Sequence, residues 1–340
     1  MAAPGALGRR AASPRGGGDL VVFHPARVDH FVGRLAAAGD GGPTWPGRVV
    51  ACRNGAEVAA AAPGMEVLCA TGSGFPVAEL KRAPHLRWVH SLGAGVDWMV
   101  GPQVPTALRL PRQVKLTRSI GVHGTTMAEF VLAYLLAFNA DLPRGLRQKA
   151  EHRWQWYRVP RIAGKRLGVA GLGHIGREVA RLASGLGMEV SGLQQRSRPC
   201  RWARRIFTPD QLPAFLAGLD FLVIVLPLTP VTRGMFGEPE LSAMKEAAVV
   251  ANIGRGPVID EAALIDALRR KVIAGAALDV FEREPLPPSS PLWDMPNVLI
   301  TPHMAGQANV TAACEFFIKN LERYLRGQPL LGGVSRRRGY

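Results

Sequence analysis

Residues 167–176 read Leu-Gly-Val-Ala-Gly-Leu-Gly-His-Ile-Gly. The first four residues are an apolar run with the length of a buried strand, and the glycines that follow predict a tight turn. Beyond the turn, Ile175, Val179 and Leu182 place apolar side chains on one face of a helix. The stretch therefore predicts a strand, a glycine-rich turn and a helix, which is the unit that begins a nucleotide-binding parallel sheet.

The three glycines of this turn would have separate roles in a dinucleotide site. Gly171 permits the turn itself, Gly173 lets a pyrophosphate approach the backbone, and Gly176 lets the helix pack closely on the strand. Free N–H groups at the start of the helix would then meet the anion. The predicted cofactor contacts of this loop are Gly171, Leu172, Gly173, His174, Ile175 and Gly176.

The alternation of strand and helix continues on both sides of the glycine-rich stretch. Strands are predicted at residues 166–170, 189–193, 221–226, 248–252, 275–279 and 298–301. Helical segments separate most of them, and six parallel strands with crossover helices make a Rossmann-type doubly wound sheet. A further, upstream α/β unit is predicted from three strand-like runs and one helical pattern, at residues 20–23, 67–70, 88–90 and 28–38.

Three segments near the end of the chain each carry one group suited to a reductive reaction. Arg255 stands between two glycines, Glu284 precedes a proline, and His303 follows Thr301-Pro302. A guanidinium is a planar fork that can grip a carboxylate and polarise a carbonyl. An imidazole titrates near neutral pH and suits a proton donor, and a carboxylate on its other nitrogen would stabilise the imidazolium. Each residue alone would be an ordinary one, but together they predict a catalytic site that anchors a 2-keto acid and moves one proton.

A glycine loop followed by these three residues is similar to the arrangement in the D-isomer-specific 2-hydroxyacid dehydrogenases. The chain resembles that family from about residue 20 to residue 329, and within it most resembles the glyoxylate/hydroxypyruvate reductases. The resemblance implies reversible, NAD(P)H-dependent reduction of a small 2-keto acid, such as glyoxylate or hydroxypyruvate, to the D-2-hydroxy acid. The nicotinamide would supply the hydride, and His303 would supply the proton.

The resemblance also assigns binding residues outside the glycine loop. Backbone N–H groups of Gly93, Ala94 and Gly95 would surround the substrate carboxylate, which Arg255 also binds. Asp279 would contact the nicotinamide carboxamide, although an aspartate at the end of a strand is often a cap for the next turn. The remaining cofactor contacts are expected at Leu226, Pro227, Thr232, Ile253, Gly254 and Gly306.

The family arrangement implies two domains with a discontinuous chain path. Residues 123–303 are expected to form the dinucleotide-binding domain. Residues 19–122 with 304–330 are expected to form a smaller, flavodoxin-like α/β substrate domain, because the final helix, at 309–326, returns to the first domain in the family.

The end of the second strand of the Rossmann sheet bears on the choice of cofactor. NAD-specific proteins place an acidic residue there, whereas this chain reads Gly-Leu-Gln-Gln-Arg-Ser-Arg over residues 192–198. The lack of a carboxylate removes repulsion of a 2′-phosphate, and four side chains offer donors to it: Gln195, Arg196, Ser197 and Arg198. NADP(H) is therefore the preferred cofactor and NAD(H) a possible one. The alternative is that these arginines form a solvated loop.

The charge of the chain favours anionic ligands without indicating sequence-specific nucleic-acid binding. The net charge is +16, and 35 arginines against 7 lysines are spread along the whole chain. Such a field attracts anionic substrates and phosphorylated cofactors, and no recognised DNA-binding motif accompanies it. Basic residues without acidic ones occur in residues 1–18, expected to be a disordered leader or alternatively a transit peptide, and in a basic tail, 331–340.

Other sequence features bear on compartment and membrane contact. The longest apolar stretches fall well short of the roughly 20 residues that span a bilayer, so no membrane span is expected. The four cysteines are scattered without a CxxC pair, which predicts neither a metal site nor a disulfide framework. A reducing, cytoplasmic location is the expectation.

Alternatives remain for one helix and for the function. The predicted helix at 126–139 has an apolar face that suits either the core or, as the family suggests, the contact of a homodimer. Some relatives of the predicted fold are nucleotide-sensing corepressors with little turnover, and they form the main alternative to an enzyme. A formate dehydrogenase is a weaker alternative, because no sign of its distinct substrate-side residues is found.

Overall fold

The computed structural model describes residues 17–38, 43–72, 74–100, 104–105, 109–306 and 310–340. The chain forms two compact units. Of the described residues, those within 17–93, 109–119 and 311–334 and Pro105 form the first unit, and those within 94–100, 120–306 and 335–340 with Val104 and Val310 form the second. Residues 1–16 of the expected leader lie outside the described residues. The domain limits expected from the sequence stay a prediction.

Strands and helices alternate along most of the described chain. The strands are β1 (Asp19–Phe23), β2 (Val49–Cys52), β3 (Met65–Ala70), β4 (Trp88–Ser91), β5 (Lys115–Arg118), β6 (Arg166–Ala170), β7 (Glu189–Leu193), β8 (Arg205–Phe207), β9 (Phe221–Ile224), β10 (Val249–Asn252), β11 (Gly275–Leu278) and β12 (Val298–Ile300). The helices are α1 (Val28–Ala38), α2 (Gly55–Ala61), α3 (Asp97–Val100), α4 (Gly124–Asn139), α5 (Leu142–Ala150), α6 (His174–Gly185), α7 (Leu212–Leu216), α8 (Glu238–Ser242), α9 (Glu261–Arg269) and α10 (Val310–Leu325).

The first unit is built on a five-stranded parallel sheet with the order β2-β1-β3-β4-β5. This is the strand order of flavodoxin-like folds, so the expected fold class is confirmed for this unit. The three strand-like runs found in the sequence correspond to β1, β3 and β4, which are buried at every position. Sequence reasoning missed β2 and β5, which are four-residue edge strands with partly exposed side chains.

The second unit is built on a seven-stranded parallel sheet with the order β12-β11-β10-β9-β6-β7-β8. The order reverses direction between β6 and β9, which is the crevice where open α/β sheets bind ligands. All six strands expected here are present, and the doubly wound fold class is confirmed. The strand that was missed, β8, has three residues and lies at the sheet edge.

Part of the apolar face of helix α4 packs in the core of the second unit. Val131, Tyr134 and Leu135 are buried in a cluster that includes residues of α6 and β6. The core interpretation is therefore confirmed for these three residues. Leu136, on another side of the helix, is 43% exposed.

The predicted basic tail is divided between the two units. Asn320 of α10 donates a hydrogen bond to the Leu331 carbonyl at 3.0 Å and accepts one from the Leu331 N–H at 2.8 Å, which ties the start of the tail to the first unit. Residues 335–340 belong to the second unit and form a closed turn. In it, the Ser335 N–H donates to the Tyr340 carbonyl at 3.1 Å. Within the described ranges, no helix is both long and apolar enough to cross a membrane.

The imidazole of His90, on β4, is fully buried in the first unit. Its Nδ1 lies 2.7 Å from the Thr117 hydroxyl oxygen, and its Nε2 lies 3.2 Å from the Ser119 hydroxyl oxygen. The Trp88 indole N–H donates to the same Thr117 hydroxyl oxygen at 2.8 Å, so both ring nitrogens of His90 have hydroxyl partners inside a buried hydrogen-bonded cluster. Burial lowers the pKa of His90 to about 3, and the ring is neutral at physiological pH.

The buried His90 predicts a loss of stability in mild acid. The unfolded chain binds a proton at the ordinary histidine pKa, whereas the folded unit does not until its lowered pKa is reached, so the free energy of unfolding falls as pH drops below about 6.5. Between pH 6 and pH 4 the loss should be roughly 2 to 3 kcal/mol. The free energy of unfolding, measured by denaturant titration at several pH values, should change less steeply with pH in His90→Gln than in the wild type. The exposed His85→Gln variant is the matched control, and equal slopes for all three proteins would contradict the assignment.

Candidate active site

The glycine-rich turn after β6 is tight at two glycines and open at the third. Gly171 has a φ of +103°, and a Cβ atom there would lie 2.7 Å from the Val225 carbonyl oxygen. A Cβ atom at Gly176 would lie 1.9 Å from the Gly171 carbonyl oxygen, so a side chain would push α6 away from the turn. A Cβ atom at Gly173, which precedes α6, would meet nothing within 4 Å. Open backbone beside a helix N-terminus fits the pyrophosphate of a dinucleotide.

The carboxyl ends of β6, β9 and β10 are neighbours in the sheet, and most of the predicted cofactor residues follow them. A Cβ atom at Gly254 would lie 2.8 Å from the Leu226 carbonyl oxygen, so these two loops touch. The Thr232 hydroxyl donates to the Pro227 carbonyl at 2.6 Å and closes the loop after β9. The predicted residues on these three strand ends are Gly171, Leu172, Gly173, His174, Ile175, Gly176, Leu226, Pro227, Thr232, Ile253 and Gly254.

The loop after β7 carries the residues expected to distinguish the two cofactors. The Gln194 side chain donates to the Arg198 carbonyl at 2.5 Å, which closes the loop. Gln195, Arg196, Ser197 and Arg198 are all exposed. Their donors are therefore accessible to a ligand, and residues 194–198 contain no carboxylate that would repel a phosphate.

His303 and Glu284 form a hydrogen-bonded pair. The His303 Nδ1 lies 2.7 Å from a Glu284 carboxylate oxygen, and the other Glu284 oxygen accepts the Phe281 N–H at 3.1 Å. Partial burial raises the pKa of Glu284, but its hydrogen bond with His303 and the positive charges of His303 and Arg255 lower it more, so the net shift is downward. A charged carboxylate on Nδ1 leaves the Nε2 of His303 to exchange a proton with a ligand.

The turn that carries His303 is built around the buried carboxylate of Asp279, which is 1% exposed. One carboxylate oxygen accepts the Thr301 hydroxyl at 2.6 Å and the Met304 N–H at 2.9 Å, and the other accepts the Ala305 N–H at 3.0 Å. The Asp279 carbonyl accepts the His303 N–H at 2.8 Å. His303 itself has a φ of +51°, a left-handed conformation that costs energy outside glycine and is held here by these bonds.

Arg255 is fixed by a carboxylate that the sequence interpretation did not include. Its Nε donates to Asp97, the first residue of α3, at 2.7 Å, and its Nη1 donates to the Gly254 carbonyl at 2.7 Å. A Cβ atom at Gly95 would lie 1.4 Å from the Nη2, so the guanidinium rests against the backbone of this glycine. The contact joins Arg255 to the predicted substrate-loop residue Gly95 within one unit.

The predicted substrate-loop residues and Gly306 lie outside the strand ends described above. Gly93 belongs to the first unit, whereas Ala94 and Gly95 belong to the second. A Cβ atom at Gly306 would lie 3.6 Å from the Met127 sulfur, which places this glycine beside α4. Among the described residues, no three His, Cys, Asp or Glu side chains are grouped as a metal site requires.

Two residues that shape the site were missed by sequence reasoning. Asp97 lies two residues after Gly95, but nothing in the sequence shows that it meets Arg255, 158 positions away. Thr301 was recognised only as the residue two positions before His303. Its position at the end of β12, beside the carboxylate that ends β11, was the available signal, because the ends of neighbouring parallel strands lie together.

The family model for the NAD binding domain of the D-isomer specific 2-hydroxyacid dehydrogenases matches residues 132–305. The chain belongs to this family. It is an NAD(P)-dependent oxidoreductase, as the resemblance implied, and the corepressor alternative is not favoured.

Relatives within the family share both sequence and fold with the chain. Glyoxylate/hydroxypyruvate reductase B of Yersinia enterocolitica is 34% identical over 81% of this chain and 85% of that protein. A D-isomer specific 2-hydroxyacid dehydrogenase of Xanthobacter autotrophicus, solved with NADPH and MES, is 37% identical over 95% of this chain and 100% of that chain, with a TM-score of 0.82. An NADPH-dependent glyoxylate/hydroxypyruvate reductase of Sinorhizobium meliloti, solved with NADP and sulfate, is 32% identical over 95% and 100%, with a TM-score of 0.83.

The ion pair of Asp97 and Arg255 predicts an effect of Asp97 on substrate binding. Asp97→Ala frees the guanidinium to swing away from Gly95, so kcat/KM for a 2-keto acid should fall about 10- to 100-fold, the scale of a lost charge-assisted hydrogen bond. NADPH affinity, measured by fluorescence titration, should stay within about twofold of the wild type. Asp29→Ala is the matched control, since it removes the carboxylate of an exposed ion pair with Arg53 in the first unit. An unchanged kcat/KM in Asp97→Ala would contradict a role for this pair.

Proposed function

We propose that the protein reduces glyoxylate, hydroxypyruvate or a similarly small 2-keto acid to the D-2-hydroxy acid with NADPH. The observation that carries the proposal is the hydrogen-bonded pair of His303 and Glu284, in the unit that also contains the open glycine turn and Arg255. Relatives named as glyoxylate or glyoxylate/hydroxypyruvate reductases support the substrate class.

The residues of the site divide the work of the reaction. Arg255 binds the substrate carboxylate with the donors left over from its contacts with Asp97 and Gly254, and the N–H groups of Ala94 and Gly95 in the same unit bind this carboxylate too. His303, in its imidazolium form, gives the proton from Nε2 to the carbonyl oxygen as that oxygen gains negative charge. Glu284 stabilises the imidazolium before transfer. The nicotinamide nucleotide supplies the hydride when bound.

The cofactor is held at the carboxyl edge of the second unit's sheet. The glycine turn and the start of α6 would bind the pyrophosphate, and the segment containing Leu226, Pro227 and Thr232 would hold the nicotinamide ribose. The exposed donors of residues 195–198 bind the 2′-phosphate. NADP(H) is therefore preferred over NAD(H), in keeping with the nucleotides present in the solved structures from Xanthobacter and Sinorhizobium.

A homodimer is part of this proposal. Large apolar side chains of the second unit are exposed along one stretch of sequence: Leu136, Leu142, Leu146, Trp154, Trp156 and Val159. Trp154 is 103% exposed and Trp156 is 83% exposed. Apolar surface of this kind is usually covered by a partner, and a second copy of the chain fits the dimer that the family implies. The cytoplasmic location expected from the sequence stays a prediction.

The proposed reaction predicts a large effect of His303. Purified wild-type protein should oxidise NADPH in the presence of glyoxylate or hydroxypyruvate, and His303→Ala should reduce kcat by about 10² to 10⁴, the range of general acid–base groups. The affinity for NADPH should remain, because His303 is not among the residues proposed to bind the cofactor. The experiment is steady-state turnover with a panel of 2-keto acids and both reduced nucleotides. An absence of turnover with every keto acid would contradict the function, and wild-type turnover in the variant would remove His303 from the mechanism.

The loop after β7 predicts the cofactor preference. The wild type should favour NADPH over NADH by about ten- to a hundredfold in kcat/KM, as expected for exposed charge-assisted contacts to a phosphate. Arg196→Ala with Arg198→Ala should erase most of this preference and leave NADH kinetics nearly unchanged, because only the 2′-phosphate loses its partners. Arg82→Ala with Arg112→Ala is the matched control, since it removes equal charge from exposed positions of the first unit. A preference that survives in the loop variant would show that these arginines are only solvated.

A further inference from the structure

A chain of three side chains leads from α4 to the turn that carries His303. The Tyr134 hydroxyl is hydrogen-bonded to the Thr301 hydroxyl. Thr301 in turn donates its only proton to the Asp279 carboxylate at 2.6 Å, so the Tyr134 hydroxyl must be the donor to Thr301. All three residues belong to the second unit, and each comes from a different element: α4, the end of β12 and the end of β11.

The environment of Tyr134 keeps its hydroxyl protonated, so that it can donate a hydrogen bond to Thr301. Tyr134 is 6% exposed, and its ring makes an edge contact with Phe130 at a centroid distance of 5.1 Å. Burial raises the pKa of its hydroxyl above the ordinary value, and the charge of Asp279 raises it further. The phenol therefore keeps its proton at neutral pH, and that proton stays directed at Thr301.

The end of this chain is the group that shapes the catalytic turn. Asp279 accepts the Met304 and Ala305 N–H groups while its carbonyl accepts the His303 N–H. A hydrogen bond received by Thr301 strengthens the one that it gives, because hydroxyls in series polarise each other. Loss of the Tyr134 hydroxyl would weaken the Thr301 contact with Asp279, and with it the bonds that keep His303 at a φ of +51°.

We propose that Tyr134 is a positioning residue for the catalytic histidine, which its hydroxyl orients through Thr301 and Asp279. Tyr134 does not touch the reacting groups. It sets the direction of the His303 ring toward Glu284, and therefore the stability of the imidazolium that gives the proton. The inference rests on the proposed function and adds a residue that lies on a helix outside the catalytic loops.

The experiment compares Tyr134→Phe with the wild type in the holoenzyme. The variant keeps the ring and its contact with Phe130 and removes the hydroxyl alone. We expect kcat to fall about two- to tenfold, the scale of one lost neutral hydrogen bond, with KM for the keto acid within about twofold. Glu284 is hydrogen-bonded to the His303 ring, and the charge of Arg255 acts on Glu284. Since a weaker contact with Glu284 stabilises the protonated ring less, the basic limb of the plot of kcat against pH should move to lower pH.

Tyr157→Phe is the matched control. Its hydroxyl donates to the Asp141 carbonyl at 3.3 Å and has no part in the His303 turn, so its removal should change neither kcat nor the pH profile. A second pair of variants keeps the test informative if Tyr134→Phe does not fold. Thr301→Ser retains the hydroxyl and should behave like the wild type, whereas Thr301→Val breaks the same chain and should reproduce the lower kcat and the shifted limb.

The outcomes separate this inference from the proposed function. A wild-type protein without turnover would overturn the proposed function. With an active wild type, a Tyr134→Phe enzyme that has wild-type kcat and an unmoved basic limb would overturn the positioning role, even if its thermal stability is lower. Equal effects of Thr301→Ser and Thr301→Val would overturn it as well, because the hydroxyl would then not be the group that matters.

Discussion

The turn that carries His303 in the second unit depends on one buried negative charge, that of Asp279. A carboxylate at 1% exposure is costly to bury unless it is hydrogen-bonded, and this one is satisfied by a hydroxyl and two backbone N–H groups of a single turn. The need to satisfy that charge determines the path of residues 301–305. The left-handed backbone at His303 follows from this path, and so does the contact of the imidazole with Glu284.

Arg255 is held by a different means. Its Nε donates to the Asp97 carboxylate, and its Nη1 donates to the Gly254 carbonyl. Its Nη2 lies against the backbone of Gly95. The guanidinium is thus partly neutralised and cannot rotate freely, so the directions left for a ligand are few. A small, planar carboxylate suits such a site, because binding it requires little further ordering of the side chain.

The sequence was most informative where many residues repeat one physical requirement. Strands such as β1, β3 and β9 are buried throughout, and their apolar runs predicted them. The edge strands β5 and β8 are short and contain charged residues, whereas the edge strand β2 is an apolar run of only four residues that was overlooked. The triad and glycine turn were recognisable because each lies in a short motif. Contacts made by the fold, such as Asp97 with Arg255 or Tyr134 with Thr301, join residues more than a hundred positions apart and leave no local signal.

Helix α10 adds aromatic side chains to the core of the first unit, and it is translated after the strands of that unit. Phe317 stacks on Trp88 at a centroid distance of 5.2 Å, and Tyr324 packs on the same indole at 5.2 Å. The strand that carries Trp88 leaves the ribosome long before α10 does, since the whole stretch 120–310 is translated between them. The side chains of Trp88 and His90 therefore lack their α10 partners until this last helix has been translated. By then, residues 120–310 have already been synthesised. In a growing cell, this interval is when chaperones would find their binding site on the chain.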